Sequence, residues 1–216
     1  YPEDIYSSTM GYDVLNDAQK SLYRKIKAAA HAFYTGTAAA EGVSYGSDEE
    51  KLPCFAVVSN TDSSLSNEDT VKVISMFRND NPMYFFVGNN YLYSMDYDFE
   101  TEKNYVGAVY IACVEEYTSG TARQAERRAL ETQITAAREQ VEAQDTAWAK
   151  ARAANDWLCN SLTYAYDASG NPDDSMASHS IVGAFDERYC AAVCEGYAKA
   201  FQLLMNAAGV ANAYII

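Results

Sequence analysis

Apolar residues recur at helical spacing near the start of the chain. Between residues 16 and 34 they fall on one helical face, at Leu22, Ile26, Ala29 or Ala30, and Phe33. This spacing predicts a helix, and Gly36 marks its end. His31 lies inside the helix, which favours a partly buried or solvated helix residue over a catalytic one.

Short apolar runs separated by polar stretches follow this helix. Residues 37–50 are rich in small and acidic residues and predict a loop, whereas CFAVVS after Pro53 predicts a strand. Ser66, Asn67 and Glu68 supply helix-start chemistry for a helix over DTVKVISMFRND, and NDNP ends it because the residue before a proline avoids the helical region. MYFFVGNNYLYSMD and NYVGAVYIACVEEY, rich in aromatic and β-branched residues, predict two more strands.

A long segment rich in good helix formers comes next. Between Gly120 and Gly170 there is neither glycine nor proline. Positions that step by alternating four and three residues form a coiled-coil-like seam: Leu130, Ile134, Ala137, Val141, Gln144, Trp148, Ala151, Asn155, Leu158 and Leu162. Because Asp145 and Thr146 can cap a new helix, we predict two helices rather than one. ASGNPDDSMAS then predicts a surface loop.

The balance of charge limits the partners of the chain. The 216 residues carry 16 basic and 30 acidic side chains, a net charge of -14, and the one basic grouping is a short helix face with Arg123, Arg127 and Arg128. A polyanion would be repelled over most of this surface, so we expect neither nucleic acid nor an anionic membrane as a partner. The longest apolar run, residues 105–114, is too short to span a bilayer.

Tyrosines and cysteines are the residues with the most chemical potential. Eighteen tyrosines make a sugar-binding surface conceivable, although packing and solvated rims account for tyrosines more simply. The five cysteines are too few for a disulfide framework, and their odd number leaves at least one thiol free. Cys54, Cys113 and Cys159 lie in apolar surroundings and are expected to be buried small hydrophobes.

Cys194 occupies a more informative position. From Cys194 onward, one helical face carries Tyr197, Phe201, Leu204 or Met205, and Ala208, and Gly209 supplies the glycine that commonly follows a helix end. The unpaired N–H groups and the dipole at a helix N-terminus stabilise a thiolate, which suits a nucleophile. The alternative is an inert core cysteine. A disulfide or a shared metal with Cys190 is poorly supported, since no further ligand group has suitable spacing.

The residues around Cys194 resemble a known family. The run AVCEGYAKAFQLLMNAAGV, preceded by HSIVGAF and by NDWLCNSLTYAYD, is similar to the core of the bacterial transglutaminase-like proteins, which have a papain-like arrangement. The resemblance covers about residues 156–216. It implies that Cys194 is the thiol nucleophile, that Gly196, Tyr197 and Ala198 form a close-packed first turn, and that Gly209 stops the helix.

The resemblance also implies a reaction and a fold. The cysteine would attack an amide carbonyl in a protein or peptide substrate and form a thioester, which water or an amine then releases; no cofactor or metal is needed. The expected fold is α+β: a helical N-terminal part with a small antiparallel sheet over residues 1–118, leading into a helical segment and an incomplete transglutaminase-like core over residues 119–216.

The family's histidine and aspartate are expected on later strands. Only 22 residues follow Cys194, and they contain neither residue type. We therefore expect a protein truncated just after the nucleophile helix and inactive as this chain. Its final strand, residues 210–216, is expected to pair with a second copy or with the missing C-terminal part, or to be poorly ordered. Because the chain begins at Tyr1, we expect a removed signal peptide and an extracellular or cell-surface location.

Two alternatives stay open at this point. His179 is the histidine nearest to Cys194 in sequence, so a Cys194–His179 dyad is a rival enzyme hypothesis, although a loop role for His179 is simpler. The second alternative is a non-catalytic cell-surface or assembly module that retains a transglutaminase-like fold and an unused Cys194.

Overall fold

The computed structural model of the protein describes residues 1–45, 50–59 and 64–210. They form two compact units. We call residues 11–78 and 86–124 the sheet unit, and residues 1–10, 79–85 and 125–216 the cysteine unit. The predicted α+β class is confirmed, whereas the division of the chain at residue 118 stays a prediction.

Helices and strands are distributed unevenly along the chain. The helices are α1 (Met10–Asp13), α2 (Asp17–Thr35), α3 (Asn67–Asp80), α4 (Gly120–Glu142), α5 (Ala147–Ser161), α6 (Ile181–Phe185) and α7 (Cys194–Ala207), with 3-10 turns at Pro2–Tyr6 and Glu115–Tyr117. The strands are β1 (Glu41–Tyr45), β2 (Glu50–Ser59), β3 (Val87–Asp98), β4 (Lys103–Cys113), β5 (Thr163–Tyr164) and β6 (Ala191–Ala192). Among the described residues, no helix combines the length and the apolar character needed to cross a membrane.

The sheet unit is built on a four-stranded antiparallel sheet in the order β1-β2-β4-β3. Helix α2 packs against β2 and buries the predicted face, including Leu22 and Ile26. Asn16 caps this helix: its Oδ1 accepts the Gln19 N–H at 2.9 Å, and the Gln19 side chain accepts the Asn16 N–H at 3.0 Å. The first predicted helix is therefore confirmed at both ends.

Two predictions about strands β1 and β3 were wrong. The expected loop over residues 37–50 contains strand β1, which pairs with β2 from Glu41↔Cys54 to Tyr45↔Glu50. Strand β1 buries neither face, so it lacks the alternating pattern that identifies a half-buried strand. The strand expected from residue 83 begins only at residue 87, because Met83, Tyr84 and Phe85 are buried in turns before it.

The long helical segment consists of two helices, as predicted. The Thr146 hydroxyl accepts the Ala149 N–H at 3.1 Å and caps α5. The seam is correct along α4, where Leu130, Ile134, Ala137 and Val141 are fully buried. Beyond the break it is correct only at Leu158 and Leu162, which are buried, whereas Trp148 is 80% exposed and the buried Ala154 lies outside the predicted seam. A helix break resets the helical phase, so one seam does not continue through it unchanged.

Candidate active site

Cys194 is the first residue of helix α7, as predicted. Val193 before it is extended, and the Cys194 thiol is exposed. Helix α7 ends in a Schellman motif, in which the Val210 N–H bonds to the Met205 carbonyl at 3.0 Å and Gly209 has φ +74. The predicted stop at Gly209 is therefore confirmed. Residues 211–216, most of the predicted final strand, lie outside the described residues.

Helix α7 buries only part of the predicted face: Leu204, Met205 and Ala208 are buried as expected. Its buried face includes Gly196, Ala200, Leu203 and Leu204. Tyr197 and Phe201, expected in the core, are only half-buried. Residues 194, 197 and 201 share one side of the helix at i, i+3 and i+7 spacing. The exposed thiol therefore lies at one end of a partly accessible apolar stripe.

The backbone before Cys194 is fixed by hydrogen bonds to two other segments. Strand β6 runs parallel to β5, and the Ala165 N–H bonds to the Ala192 carbonyl at 3.0 Å. The Val193 N–H bonds to the Ser178 carbonyl at 3.1 Å. The start of the helix is thus placed by backbone contacts that do not depend on the cysteine side chain.

Two glycines allow these segments to approach one another. A Cβ atom at Gly196 would overlap the carbonyl oxygen of Ser178 and lie 2.9 Å from the Cβ of Ala192. A Cβ atom at Gly183, in α6, would overlap the carbonyl of Ala191. The close packing that the resemblance implied for the first turn of α7 is therefore present at Gly196.

A charged network joins the first turns of α7 to the loop around His179. The Nδ1 atom of His179 lies 2.9 Å from Oε2 of Glu195, and the Lys199 ammonium lies 2.6 Å from Oε1 of the same carboxylate. Lys199 is buried and also donates to the His179 carbonyl at 3.1 Å. A buried ammonium needs such partners, because an unpaired charge in the interior is strongly destabilising.

In this network His179 pairs with Glu195 and not with Cys194, its partner in the rival Cys194–His179 dyad. His179 directs Nδ1 at Glu195, and within the described part of the chain neither of its ring nitrogens hydrogen-bonds to the Cys194 thiol. A general base needs hydrogen-bond reach to the proton that it removes. The arrangement assigns His179 to the support of the loop, which was the simpler of the two sequence interpretations.

The state of the other four cysteines shows how they differ from Cys194. All five thiols are free, so the predicted absence of a Cys190–Cys194 disulfide is confirmed. Extended backbone separates the Cα atoms of Cys190 and Cys194 by about 12 Å, roughly twice the separation that a disulfide allows.

Cys54 and Cys113 are buried as expected, and burial raises the pKa of their thiols to about 11 and about 12. Cys159 was expected to be buried, but it lies on the exposed side of α5.

A buried carboxyl pair supports the chain just ahead of the cysteine. Glu126 on α4 and Asp186 after α6 are 4% and 3% exposed, and the Arg188 guanidinium bonds to both. Burial, followed by the hydrogen bond with Asp186, raises the pKa of Glu126 to about 7. Two adjacent carboxyl groups avoid mutual repulsion when one of them keeps its proton and donates to the other.

The raised pKa of Glu126 predicts how the unfolding free energy depends on pH. Because the folded pKa of Glu126 is raised from 4.5 to about 7, its contribution is fully present below about pH 4.5 and is lost as the pH rises through about 7. The neutral isostere Glu126→Gln is therefore expected to exceed the wild type in unfolding free energy by about 1–3 kcal/mol at pH 8. The difference should shrink towards pH 5. Urea unfolding of both proteins from pH 5 to pH 8 measures it.

A matched control separates this effect from a general loss of negative charge. Glu131 is also on α4, but its side chain is 44% exposed and pairs with Arg127 one turn away. Glu131→Gln should leave the pH dependence unchanged, since an exposed pair contributes little. A Glu126→Gln protein less stable than the wild type at pH 8 would contradict the raised pKa.

Sequence reasoning placed Cys194 correctly at a helix start and missed most of the contacts that hold this region. The i, i+4 spacing of Glu195 and Lys199 is a signal for a helical ion pair that was available in the sequence. Glu126 is separated from Arg188 by 62 residues, and nothing local to either residue indicates the contact.

One of the comparisons with known proteins identifies a part of the chain. Residues 134–216 match the family model of the transglutaminase-like superfamily. No curated protein and no solved structure matches the chain. The matched segment includes α5, the loop around His179, both short strands and helix α7 with its cysteine.

Proposed function

We propose that this chain, whose residues 134–216 match the family model of the transglutaminase-like superfamily, supplies Cys194 as the nucleophile of an acyl-transfer reaction on amide groups of proteins or peptides. The observation that supports it best is the exposed thiol at the first residue of a helix whose start is fixed by β6 and by the Ser178 carbonyl. A rigidly positioned, accessible thiol at a helix N-terminus is what nucleophilic catalysis requires.

The proposed reaction has two steps. The Cys194 sulfur attacks the carbonyl carbon of an amide, the carbon–nitrogen bond breaks, and the nitrogen leaves as ammonia or an amine after taking up a proton. The acyl group is then held as a thioester until water or an amine displaces the sulfur. Within the part of the chain that the structure describes, no side chain caps the start of α7, so we propose that N–H groups of its first turn stabilise the oxyanion of each step.

The general base that would activate the Cys194 thiol is not identified among the described residues. Within the described residues, the Nδ1 atom of His179 pairs with Glu195, and His179 makes no hydrogen bond to the Cys194 thiol. We therefore propose that the imidazole comes from outside residues 1–210, in line with the later histidine and aspartate that the resemblance implies. This chain alone is then expected to leave unactivated amides intact.

Acylation followed by intact mass tests both parts of the proposal. An activated p-nitrophenyl ester, whose leaving group needs no proton, is expected to acylate Cys194 at least about tenfold faster than the exposed Cys190 and Cys159. A glutamine-containing peptide amide should give no adduct unless imidazole is added, and Cys194→Ala should abolish every such adduct. Cys190→Ser is the matched control, because it removes another exposed thiol only four residues away.

Two outcomes would overturn the proposal. Equal labelling of Cys194, Cys190 and Cys159 would show that the helix N-terminus confers no nucleophilic advantage. Amide acylation that occurs without imidazole, needs Cys194 and survives His179→Ala would show that the base is already present in the chain.

A further inference from the structure

A cleft in the cysteine unit lies beside the candidate active site and is not used by the proposed chemistry. Its volume is about 470 Å³, within the range of small-molecule binding sites. Its walls come from β5, from the loop that carries Asp173 and Ser175, and from the segment with Arg188 and Tyr189. Ser178 also lines the cleft, and its carbonyl accepts a hydrogen bond from the N–H of Val193, the residue before Cys194.

Three tyrosines give this cleft an unusual aromatic lining. Tyr164, Tyr166 and Tyr189 are 39%, 63% and 47% exposed. The Tyr164 ring lies 5.1 Å from that of Tyr166 and stacks on Tyr197 of α7 at 6.5 Å with an interplanar angle of 14°. Tyr164 is thus held between two neighbours while an exposed portion of the cluster faces the cleft. Such rings provide flat, rigid contact area for an apolar ligand face.

The polar groups of the cleft have opposite charges and fixed positions. Arg188 is held by Asp186 and Glu126, and within the described residues its Nη1 group makes no hydrogen bond. Its side chain is 64% exposed, so Nη1 can donate to a ligand. The Asp173 carboxylate accepts from Ser175, and hydrogen bonds from Ser175 and Ser178 lower its pKa. The cleft therefore offers one fixed donor and one ionised acceptor.

This combination selects against charged ligands of either sign. An ammonium group attracted to Asp173 would meet the Arg188 guanidinium, and an anion attracted to Arg188 would meet the Asp173 carboxylate as well as a chain of net charge -14. A hydroxyl group can accept from the guanidinium and donate to the carboxylate. A ligand with several hydroxyls and an apolar C–H face satisfies both polar groups and covers the rings.

We infer that this cleft, lined by Tyr164, Tyr166 and Tyr189 between Arg188 and Asp173, binds a neutral saccharide. The sugar hydroxyls pair with Arg188 and Asp173, and the C–H face of the sugar ring packs on the tyrosines, whose ring faces carry partial negative charge. Because the cleft shares the Ser178 segment with Cys194, a bound saccharide lies beside the start of α7. Binding itself requires no thiol chemistry.

Saturation-transfer NMR on the whole chain tests this inference. The probes are four neutral disaccharides, N,N′-diacetylchitobiose, cellobiose, maltose and lactose, together with Nα-acetyl-lysine methylamide as a cation. At least one disaccharide is expected to give a signal, and Tyr166→Ala should weaken its binding about tenfold. Asp173→Asn should weaken it as well. Tyr97→Ala, which removes a 46% exposed tyrosine of the sheet unit, should change nothing.

The outcomes separate this inference from the function proposed for Cys194. Cys194→Ala should bind the disaccharide as the wild type does, so a failure of the acyl-transfer proposal leaves this test intact. The inference is overturned if no disaccharide gives a signal, or if Tyr166→Ala and Asp173→Asn bind the disaccharide as the wild type does. Binding of the lysine derivative alone, with loss in Asp173→Asn, would identify a cation site and overturn it too.

Discussion

Gly196→Ala is expected to lower the unfolding free energy by about 3 kcal/mol or more, and to lose the defined position of Cys194. The added Cβ would overlap the Ser178 carbonyl, and neither partner is the movable end of a side chain. Relief requires a shift of helix α7 or of the Ser178 segment, and the Val193–Ser178 hydrogen bond lies in the same contact. Overpacking of this kind usually costs about 1–3 kcal/mol, and a backbone clash lies at the upper end of that range or beyond it.

Urea unfolding followed by far-UV circular dichroism measures this effect, with Gly209→Ala as the matched control. Gly209 follows the other end of the same helix, and a Cβ there would meet no atom within 4 Å. Its φ of +74 makes alanine strained, so a cost of about 1 kcal/mol is expected. Equal midpoints for the two variants would contradict the prediction, because the contact at Gly196 would then relax at no greater cost than the backbone strain at Gly209. Acylation of Cys194 by the activated ester should fall in Gly196→Ala only.

The elements that sequence reasoning located correctly are those with signals in the local sequence. Asn16 and Thr146 begin helices through their own side chains, and Gly209 ends one through its own φ. Cys194 belongs with them, because a distinctive motif and a helix start coincide within a few residues. Signals of this kind need no knowledge of what packs against the element.

The predictions that failed for helices α5 and α7 depended on which surface each helix turns to its neighbours. Tyr197 and Phe201 are large and share one helical face, which favoured a core position. Helix α7 instead buries the side carrying Gly196 and Ala200, where small residues allow close backbone approach. Cys159 was expected to be buried for the same reason, and it is exposed. Hydrophobicity ranks side chains for burial, but segments distant in sequence decide which side of a helix is covered.

The expectation that basic side chains lie on the surface led to a similar error in the sheet unit. Arg123, Arg127 and Arg128 were grouped as a basic helix face, yet Arg123 is fully buried. The carbonyls that bind it belong to residues 33–38, about 90 positions earlier, and to Tyr117. Arginine is rarely buried unless paired, so composition alone predicts a surface residue. The finding removes one charge from the only basic grouping identified in the sequence.

Arg123→Ala is expected to be the most destabilising substitution in the sheet unit, with a loss of about 4 kcal/mol or more. The guanidinium donates to four backbone carbonyls, those of Phe33 at 2.8 Å, Tyr117 at 3.1 Å, Gly36 at 3.1 Å and Ala38 at 2.8 Å. Its Cζ atom also lies 3.4 Å from the centre of the Phe33 ring. The Gly36 carbonyl keeps a second donor, the Gln124 amide at 3.0 Å, but each buried carbonyl left without a donor costs about 1–3 kcal/mol, and loss of the side chain also leaves a cavity.

Arg123→Lys and Arg127→Ala complete the test of this role. Lysine keeps the charge, but its single ammonium cannot reproduce the planar fork that serves four carbonyls, so it should recover only a minor part of the lost stability. Arg127 lies one turn further along α4 and pairs with the half-exposed Glu131, so Arg127→Ala should cost less than about 1 kcal/mol. The measurement is the urea midpoint of each variant at pH 7. If Arg123→Lys matched the wild type, the positive charge and the Phe33 ring contact would hold this region together, and the fork of hydrogen bonds would be dispensable.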